Sequence, residues 1–288
     1  MITVFTPAYN RAHLLGRLYE SLVAQTCQDF EWIVVDDGST DDTRTVVAGF
    51  ITEGKLNIRY YHQENGGKHR AINRGVKEAR GELFFIVDSD DYLLPSSISL
   101  LLDNYTPIQN DLSFSGVSGR KAFHDMSLIG KQLDFEMIDC TFFHFKHKLG
   151  VTADVAEAYR TDVMKKYPFP DFENEKFCPE AYVWYEIAKA GYKLRFFNKA
   201  IVICEYLSDG LTANITKLRV KSPLASVLTY YELWSSQTIM SKRIKGAINY
   251  WRFFFHCPIE KRPDKKVSKI FKLLGYILFL KDKKQIQQ

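Results

Sequence analysis

Three features of this 288-residue chain predict an α/β fold. Short apolar, β-branched runs alternate with stretches that repeat leucine or valine at helical spacing. Acidic clusters fall where those runs stop. With 46% hydrophobic and 25% charged residues, the chain can cover both faces of a sheet, which excludes disordered and collagen-like polymers. Five cysteines (Cys27, Cys140, Cys178, Cys204, Cys257) are odd in number and never form a C-x-x-C, so a reducing, cytosolic setting is expected rather than a bridged module or a zinc ribbon. No basic n-region precedes the first apolar run, so no secretory signal is expected.

Residues 2–6 form the first predicted strand, ended by Pro7, and 11–24 the first helix, with Leu14, Leu15, Leu18 and Leu22 on one side. The unit then repeats. Residues 31–35 read as a buried strand broken by Asp36-Asp37-Gly38-Ser39, and 40–50 as a helix with Val46, Val47 and Phe50 inward. A third strand at 57–62, a Gly66-Gly67 turn, a helix at 68–79 and a strand at 82–87 complete a parallel, covered arrangement. Between 93 and 167 the pattern supports only mixed α+β. Beyond it, 179–191 reads as a helix, 193–197 and 200–205 as two strands, and the chain after 211 as helical. The expected division is a main α/β region at 1–221, split into halves at 1–105 and 106–221, and a helical tail at 222–288.

In open α/β sheets, ligands sit at the carboxyl ends of the strands. The predicted strands end in Thr6-Pro7-Ala8-Tyr9-Asn10, Asp36-Asp37-Gly38-Ser39 and Asp88-Ser89-Asp90-Asp91. Five carboxylates thus converge on one edge, where like charges repel unless a cation relieves them. In an extended strand end, Asp88 and Asp90 project to one side and Ser89 to the other, a pair of hard oxygen ligands suited to Mg²⁺ or Mn²⁺ held jointly with phosphates. Gly66-Gly67-Lys68-His69-Arg70, at the start of a helix, offers N–H groups and cations to a diphosphate, with Lys68 nearest the glycines.

These motifs together resemble the family 2 glycosyltransferases of GT-A fold. The resemblance rests on 6–11 (Thr-Pro-Ala-Tyr-Asn-Arg), Gln25-Thr26, 31–41, Asn65-Gly66-Gly67, and Gly81-Glu82 leading into Asp88-Ser89-Asp90-Asp91. It implies a Rossmann-like nucleotide-binding sheet with an α+β acceptor half and a helical C-terminal tail. It further implies a metal-dependent, inverting transfer from a nucleotide-sugar, with UDP as the expected carrier. On that basis Thr6, Pro7, Tyr9 and Asp37 hold the nucleoside, Asp37 taking the imide N–H of the base. Lys68, Asp88 and Ser89 meet the rest of the donor, while Asp90 and Asp88 hold Mn²⁺ or Mg²⁺, with Asp91 beside them.

Inverting transfer needs a carboxylate to take the acceptor's proton. In many members of that family it is the Asp of a Glu-Asp pair opening a helix with a downstream Trp. The matching stretch here, 177–184, reads Phe-Cys-Pro-Glu-Ala-Tyr-Val-Trp, with Ala181 in place of the Asp. Glu180 is the carboxylate that remains and is assigned as the base, with Asp171, Glu173 and Glu175 as substitutes. Trp184 is a candidate floor for an acceptor sugar, and Asp209 belongs to a stretch resembling a loop that closes over the diphosphate.

Charge is divided sharply along the chain. Residues 242–288 carry 13 Lys+Arg against 3 Asp+Glu, a net +10, whereas 1–241 carry a net −5. Such a division speaks against nucleic acid as the partner of the catalytic region. Ile244, Ala247, Ile248, Trp251, Phe254 and Phe255, and then Val267, Ile270, Phe271, Leu274, Ile277 and Leu278, recur at helical spacing among lysines. The longest apolar run, 273–280, is far below the roughly 18 residues a spanning helix needs. Two amphipathic helices lying on the inner, anionic face of a cell membrane are therefore expected, meeting a saccharide or polyprenyl-linked acceptor, with packing onto the catalytic region or a dimer as the alternative. Two other functions compete: a sugar nucleotidyltransferase, disfavoured because 6–9 lacks glycine, and a catalytically silent binding module, encouraged by Ala181.

Overall fold

Runs of β-branched and aromatic residues form the strands, and leucine-bearing stretches between them form helices that cover the sheet. The computed structural model describes residues 1–151, 153–204, 214–236 and 239–286. In chain order the elements are β1 (Ile2–Ala8), α1 (Ala12–Val23), β2 (Phe30–Asp36), α2 (Thr43–Glu53), β3 (Ile58–His62), α3 (Lys68–Glu78), β4 (Leu83–Ile86), β5 (Tyr92–Leu93), α4 (Ser97–Tyr105), β6 (Phe114–Ala122), β7 (Met137–Cys140), β8 (Val155–Arg160), α5 (Thr161–Lys166), α6 (Ala181–Lys189), β9 (Lys193–Ile203), α7 (Ile215–Lys221), α8 (Pro223–Ser236), α9 (Met240–Phe254) and α10 (Lys272–Ile286).

Two compact units divide these elements. One takes in Met1–Gly66, Arg70–Pro168 and Ala190–Tyr206; the other Gly67–His69, Phe169–Lys189 and the described part of Leu207–Gln288. The first unit holds the whole sheet, in the order β3-β2-β1-β4-β8-β6-β9-β5, with β7 also paired to β9. Its first four strands are all parallel, as the alternation predicts. Register sets Ala8 beside Asp36 and Phe5 beside Ile86, so the carboxyl ends of β2, β1 and β4 open on the same edge. Leu15, Leu18 and Leu22 of α1 are fully buried, and Trp32 is covered by Tyr19 and Phe50, whose rings stack 4.1 Å apart.

Beyond β4 the sheet is mixed: β8 runs antiparallel to β4 and β6, whereas β6 and β9 are parallel. β6 is buried at every position but Lys121, which removes the alternation expected of a half-exposed strand. The two strands expected at 193–197 and 200–205 are one, β9. Opposite it, Ser118 pairs with Phe196 and Arg120 with Ala200, so the polar Asn198-Lys199 break is a bulge within the strand.

In the second unit, α8 packs against α6, α7 and α9, and α10 against α9. Glu175 has its carboxylate buried at the start of α8, where Oε1 and Oε2 accept from the N–H groups of Leu224 and Ala225 at 2.7 and 3.0 Å. Those groups have no partner inside the helix, so the side chain acts as a cap supplied from a distance in sequence. Glu175 is thereby occupied with structure and is withdrawn as a substitute base.

A buried carboxylate also ties β1 to β2. Glu31 accepts from the Thr3 hydroxyl (2.7 Å), the Arg80 N–H (2.8 Å) and the Arg59 guanidinium (3.0 Å) at 1% exposure. Burial alone would raise its carboxyl; the hydrogen bonds and Arg59 outweigh that and hold it below the usual range. Its stabilising contribution is complete above the ordinary glutamate value and disappears as pH falls through the lowered one. Glu31→Ala is expected to cost about 3 kcal/mol in urea unfolding at neutral pH, because the Arg80 N–H and the Thr3 hydroxyl lose the acceptor they donate to and Arg59 loses one of its two carboxylates. The loss should shrink as the medium is acidified.

Candidate active site

The loops after β1 and β2 are knitted to each other. The Asn10 N–H donates to Ser39 Oγ at 2.9 Å, the Thr40 N–H to Asn10 Oδ1 at 2.8 Å, and the Ala12 N–H at the start of α1 to Asp41 Oδ2 at 3.0 Å. Asn10 takes a left-handed backbone conformation, φ 53°, which a short polar side chain tolerates best. Asn10, Ser39 and Asp41, which lie within the quoted motifs, carry no site role in the sequence analysis; an N-cap-type acid two residues before Thr43 is the signal for the last. At this edge Tyr9 is 48% exposed, so its ring lies on the surface and not over the core. Pro7 is partly exposed beside it. Thr6 corrects the expectation: it is fully buried, and its Oγ1 accepts the indole N–H of Trp32 at 3.0 Å.

Asp36 and Asp37 are both buried and both satisfied. Asp36 accepts from the Ser39 N–H at 2.8 Å and the Tyr60 hydroxyl at 2.5 Å; burial, and then this carboxylate, push the Tyr60 phenol well above its normal range. Asp37 accepts from the Gln63 amide (2.7 Å), the Gly66 N–H (2.9 Å) and the Asn65 amide (3.2 Å). It therefore anchors the loop that leads to α3. Gly38 sits between these strands with φ +81°, and a Cβ there would stand 2.7 Å from the Asn65 nitrogen. Arg70 reaches back to the Gly66 carbonyl at 2.6 Å, and so braces the loop it was expected to leave for a phosphate.

The third loop is a turn, not an extended strand end. β4 stops at Ile86, and the Asp91 N–H donates to the Asp88 carbonyl at 3.0 Å, closing a tight turn around Ser89 and Asp90. The expectation that Asp88 and Asp90 share one side as alternate strand residues is corrected accordingly. Ser89 is buried, whereas Asp88 and Asp90 are partly exposed. Arg17 donates to the Asp90 carbonyl at 2.7 Å and lies over the Tyr92 ring, 4.8 Å from its centroid, which fixes the turn to α1 and β5. Asp91 is buried and paired with Lys121 at 3.1 Å. Burial raises its carboxyl; Lys121 pulls it down, and the nearby charge of Asp88 pushes it up again.

The five-carboxylate argument for a cation is therefore corrected. Asp36 and Asp37 are answered by N–H and O–H donors and Asp91 by a lysine, and among the described residues no three acidic, histidine or cysteine side chains form a metal-binding group. Asp88 and Asp90 still fit a hard divalent cation of the kind that takes one or two carboxylates and completes its shell with substrate phosphates and water.

In the second unit, the residue assigned to the diphosphate and the residue assigned as base meet each other. Lys68 Nζ lies 2.7 Å from Glu180 Oε1, both partly exposed. Gly67 makes the approach possible: at φ +99°, its missing Cβ would fall 1.9 Å from the Lys176 carbonyl oxygen. Glu180 does not lie in the first turn of α6. It precedes the helix, and its carbonyl accepts from the Val183 and Trp184 N–H groups at 3.0 and 3.2 Å, so its side chain leaves from the helix start. Trp184 is 5% exposed and stands edge-on to Phe169 at 6.1 Å; it is a core residue of this unit and presents no face to a sugar. His69 is likewise buried. Asp209 lies outside the described residues.

The family model "Glycosyl transferase family 2" matches residues 3–151. An uncharacterized glycosyltransferase of Rickettsia typhi is 26% identical over 243 residues, 82% of this chain and 70% of that protein. The chondroitin synthase of Escherichia coli is 35% identical over 117 residues, 41% of this chain but only 16% of the synthase. Among solved structures, S. aureus TarS 1-349 in complex with UDP has a TM-score of 0.62 at 18% identity, covering 98% of this chain and 88% of that one, a likeness of fold. A mannosyltransferase of Pyrobaculum calidifontis in complex with GDP-Man and Mn²⁺ has a TM-score of 0.55 at 19% identity, covering 96% of this chain and 68% of the other. With half of its length in the family model and a GT-A-like sheet carrying the expected loops, the chain is a glycosyltransferase and belongs to glycosyl transferase family 2.

Proposed function

We propose that the chain is an inverting glycosyltransferase that moves a sugar from a UDP-sugar onto a saccharide or lipid-linked saccharide in cell-surface polysaccharide synthesis, on the cytoplasmic side of an anionic membrane. The carrying observation is the braced set of loops after β1, β2 and β4, with Tyr9 exposed and Asp88 and Asp90 partly exposed at their ends. TarS with UDP and with UDP-GlcNAc supports UDP as the carrier, and the polysaccharide synthases among the relatives support the acceptor class.

In this reading Tyr9 flanks the uracil, and the Asp37 carboxylate, held by Gln63, Asn65 and Gly66, takes the imide N–H with a remaining lone pair. Asp90 and Asp88 would hold Mg²⁺ or Mn²⁺, which when bound neutralises charge on the leaving diphosphate. Glu180 takes the proton of the acceptor hydroxyl as that oxygen bonds to the anomeric carbon and the bond to the diphosphate breaks on the opposite face. Lys68 serves two anions in turn. Without donor it neutralises Glu180; with donor it turns to the diphosphate and leaves the carboxylate to the acceptor.

Glu180→Gln is expected to lower kcat by about a hundredfold or more with donor KM little changed, read as nucleoside diphosphate released with acceptor present. Near-normal turnover would remove Glu180 from the base role and leave the donor site standing. Tyr9→Ala should raise the KM for UDP-sugar about tenfold with kcat kept, as loss of one stacking contact predicts. Asp90→Ala, or chelation of divalent ions by EDTA, should abolish transfer, and activity that survives EDTA would count against the metal.

A further inference from the structure

The two tail helices differ in what they do with their apolar residues. In α9, Ala247, Tyr250, Trp251 and Phe253 are buried. α10 lies on it so closely that a Cβ on Gly275 would stand 2.4 Å from the Trp251 Cβ and 2.9 Å from the Arg252 nitrogen. Phe279 is buried edge-on to His256 at 4.7 Å, and Asp282, 2% exposed, is gripped by Arg252 at 2.7 Å through Nε and by His256 at 3.2 Å. Residues 275, 279 and 282 thus form the seam with α9.

The other side of α10 is apolar as well, and it faces outward. Leu273 is 69% exposed, Leu274 49%, Ile277 44% and Leu280 41%, and Ile270, in the turn just before the helix, is 78% exposed. A single exposed leucine needs no explanation, but five aliphatic residues at i, i+3, i+4, i+7 and i+10 form a patch that does. Around it, Lys265, Lys266, Lys269, Lys272, Lys281, Lys283 and Lys284 are all exposed, and the one acid between the first and last of them is Asp282, buried and neutralised by Arg252. Just before the helix, Arg262, Lys265, Lys266 and Lys269 line a cavity of about 690 Å³ walled by Trp251 and Phe254, with Asp264 as its one acidic residue.

We propose that this outer face of α10, with the basic segment that precedes it, docks on an anionic phospholipid leaflet. The aliphatic stripe enters the headgroup boundary, and the lysines and Arg262 meet lipid phosphates at the cavity mouth. The inference rests on the reading that the enzyme works at a membrane and assigns the surface that meets it. Charge complementarity selects this occupant: seven like charges around the stripe oppose a second copy of the chain, and no described helix is long and apolar enough to cross the bilayer.

The test is flotation of the full chain with vesicles of phosphatidylcholine alone and of an equimolar mixture with phosphatidylglycerol, at low and high salt. The chain should float with the anionic vesicles only, and high salt should release it. Leu273→Glu with Ile277→Glu should weaken binding about tenfold or more by removing apolar burial. Lys265→Ala, Lys266→Ala and Lys269→Ala should each weaken it about fivefold. Both sets of variants should keep wild-type release of nucleoside diphosphate with a soluble acceptor, so retained flotation in a chain that turns over no nucleotide-sugar would sink the transfer reading alone. Wild-type flotation by both sets of variants, or no flotation of the wild type, overturns the docking face. So does a wild-type dimer in sedimentation that the Leu273/Ile277 variant dissolves.

Discussion

The sheet edge where β1 and β2 end depends on one buried carboxylate. Asp37 sits at the end of β2 with 4% exposure, and a charge so placed is tolerable only while N–H groups point at it. Gln63, Asn65 and Gly66 supply them, and in doing so fix the chain that leads into α3. Asp36 does the same for β3 through Tyr60, and Asn10 with Ser39 joins the first loop to the second. The loops at this edge are therefore held in place by the protein's own groups.

A second consequence concerns how acid is distributed. Of the carboxylates at this edge, those deepest in the protein are matched by protein groups: Asp36 and Asp37 by donors, Asp91 by Lys121. Asp88 and Asp90 stand at the surface of a turn that Arg17 holds to α1 and β5. A bare count of aspartates therefore overstates the uncompensated negative charge at this edge.

In the second unit the same economy appears as an ion pair between two residues assigned to different steps. Lys68 and Glu180 satisfy each other at 2.7 Å, so neither is left as an isolated charge. Ala181, which replaces the family's usual acid, leaves Glu180 as the carboxylate at the start of α6, where its backbone carbonyl also begins the helix.

Local pattern was enough to determine the first four strands and three helices, the family and the positions of its loops, because alternation between apolar strands and amphipathic helices survives wherever each element has one buried face. It failed where burial is two-sided or satisfied from afar. β6 lost its alternation in the middle of the sheet, β9 crossed a polar bulge without ending, and α10 hid a seam and a stripe within one apolar run. Residue type told that Thr6, Trp184 and Glu175 were suited to a site; only tertiary packing decided that a tryptophan indole, a phenylalanine edge and the start of α8 had already claimed them. The physical reason is that hydrogen-bond partners and buried neighbours come from residues remote in sequence, and a pattern read along the chain does not contain them.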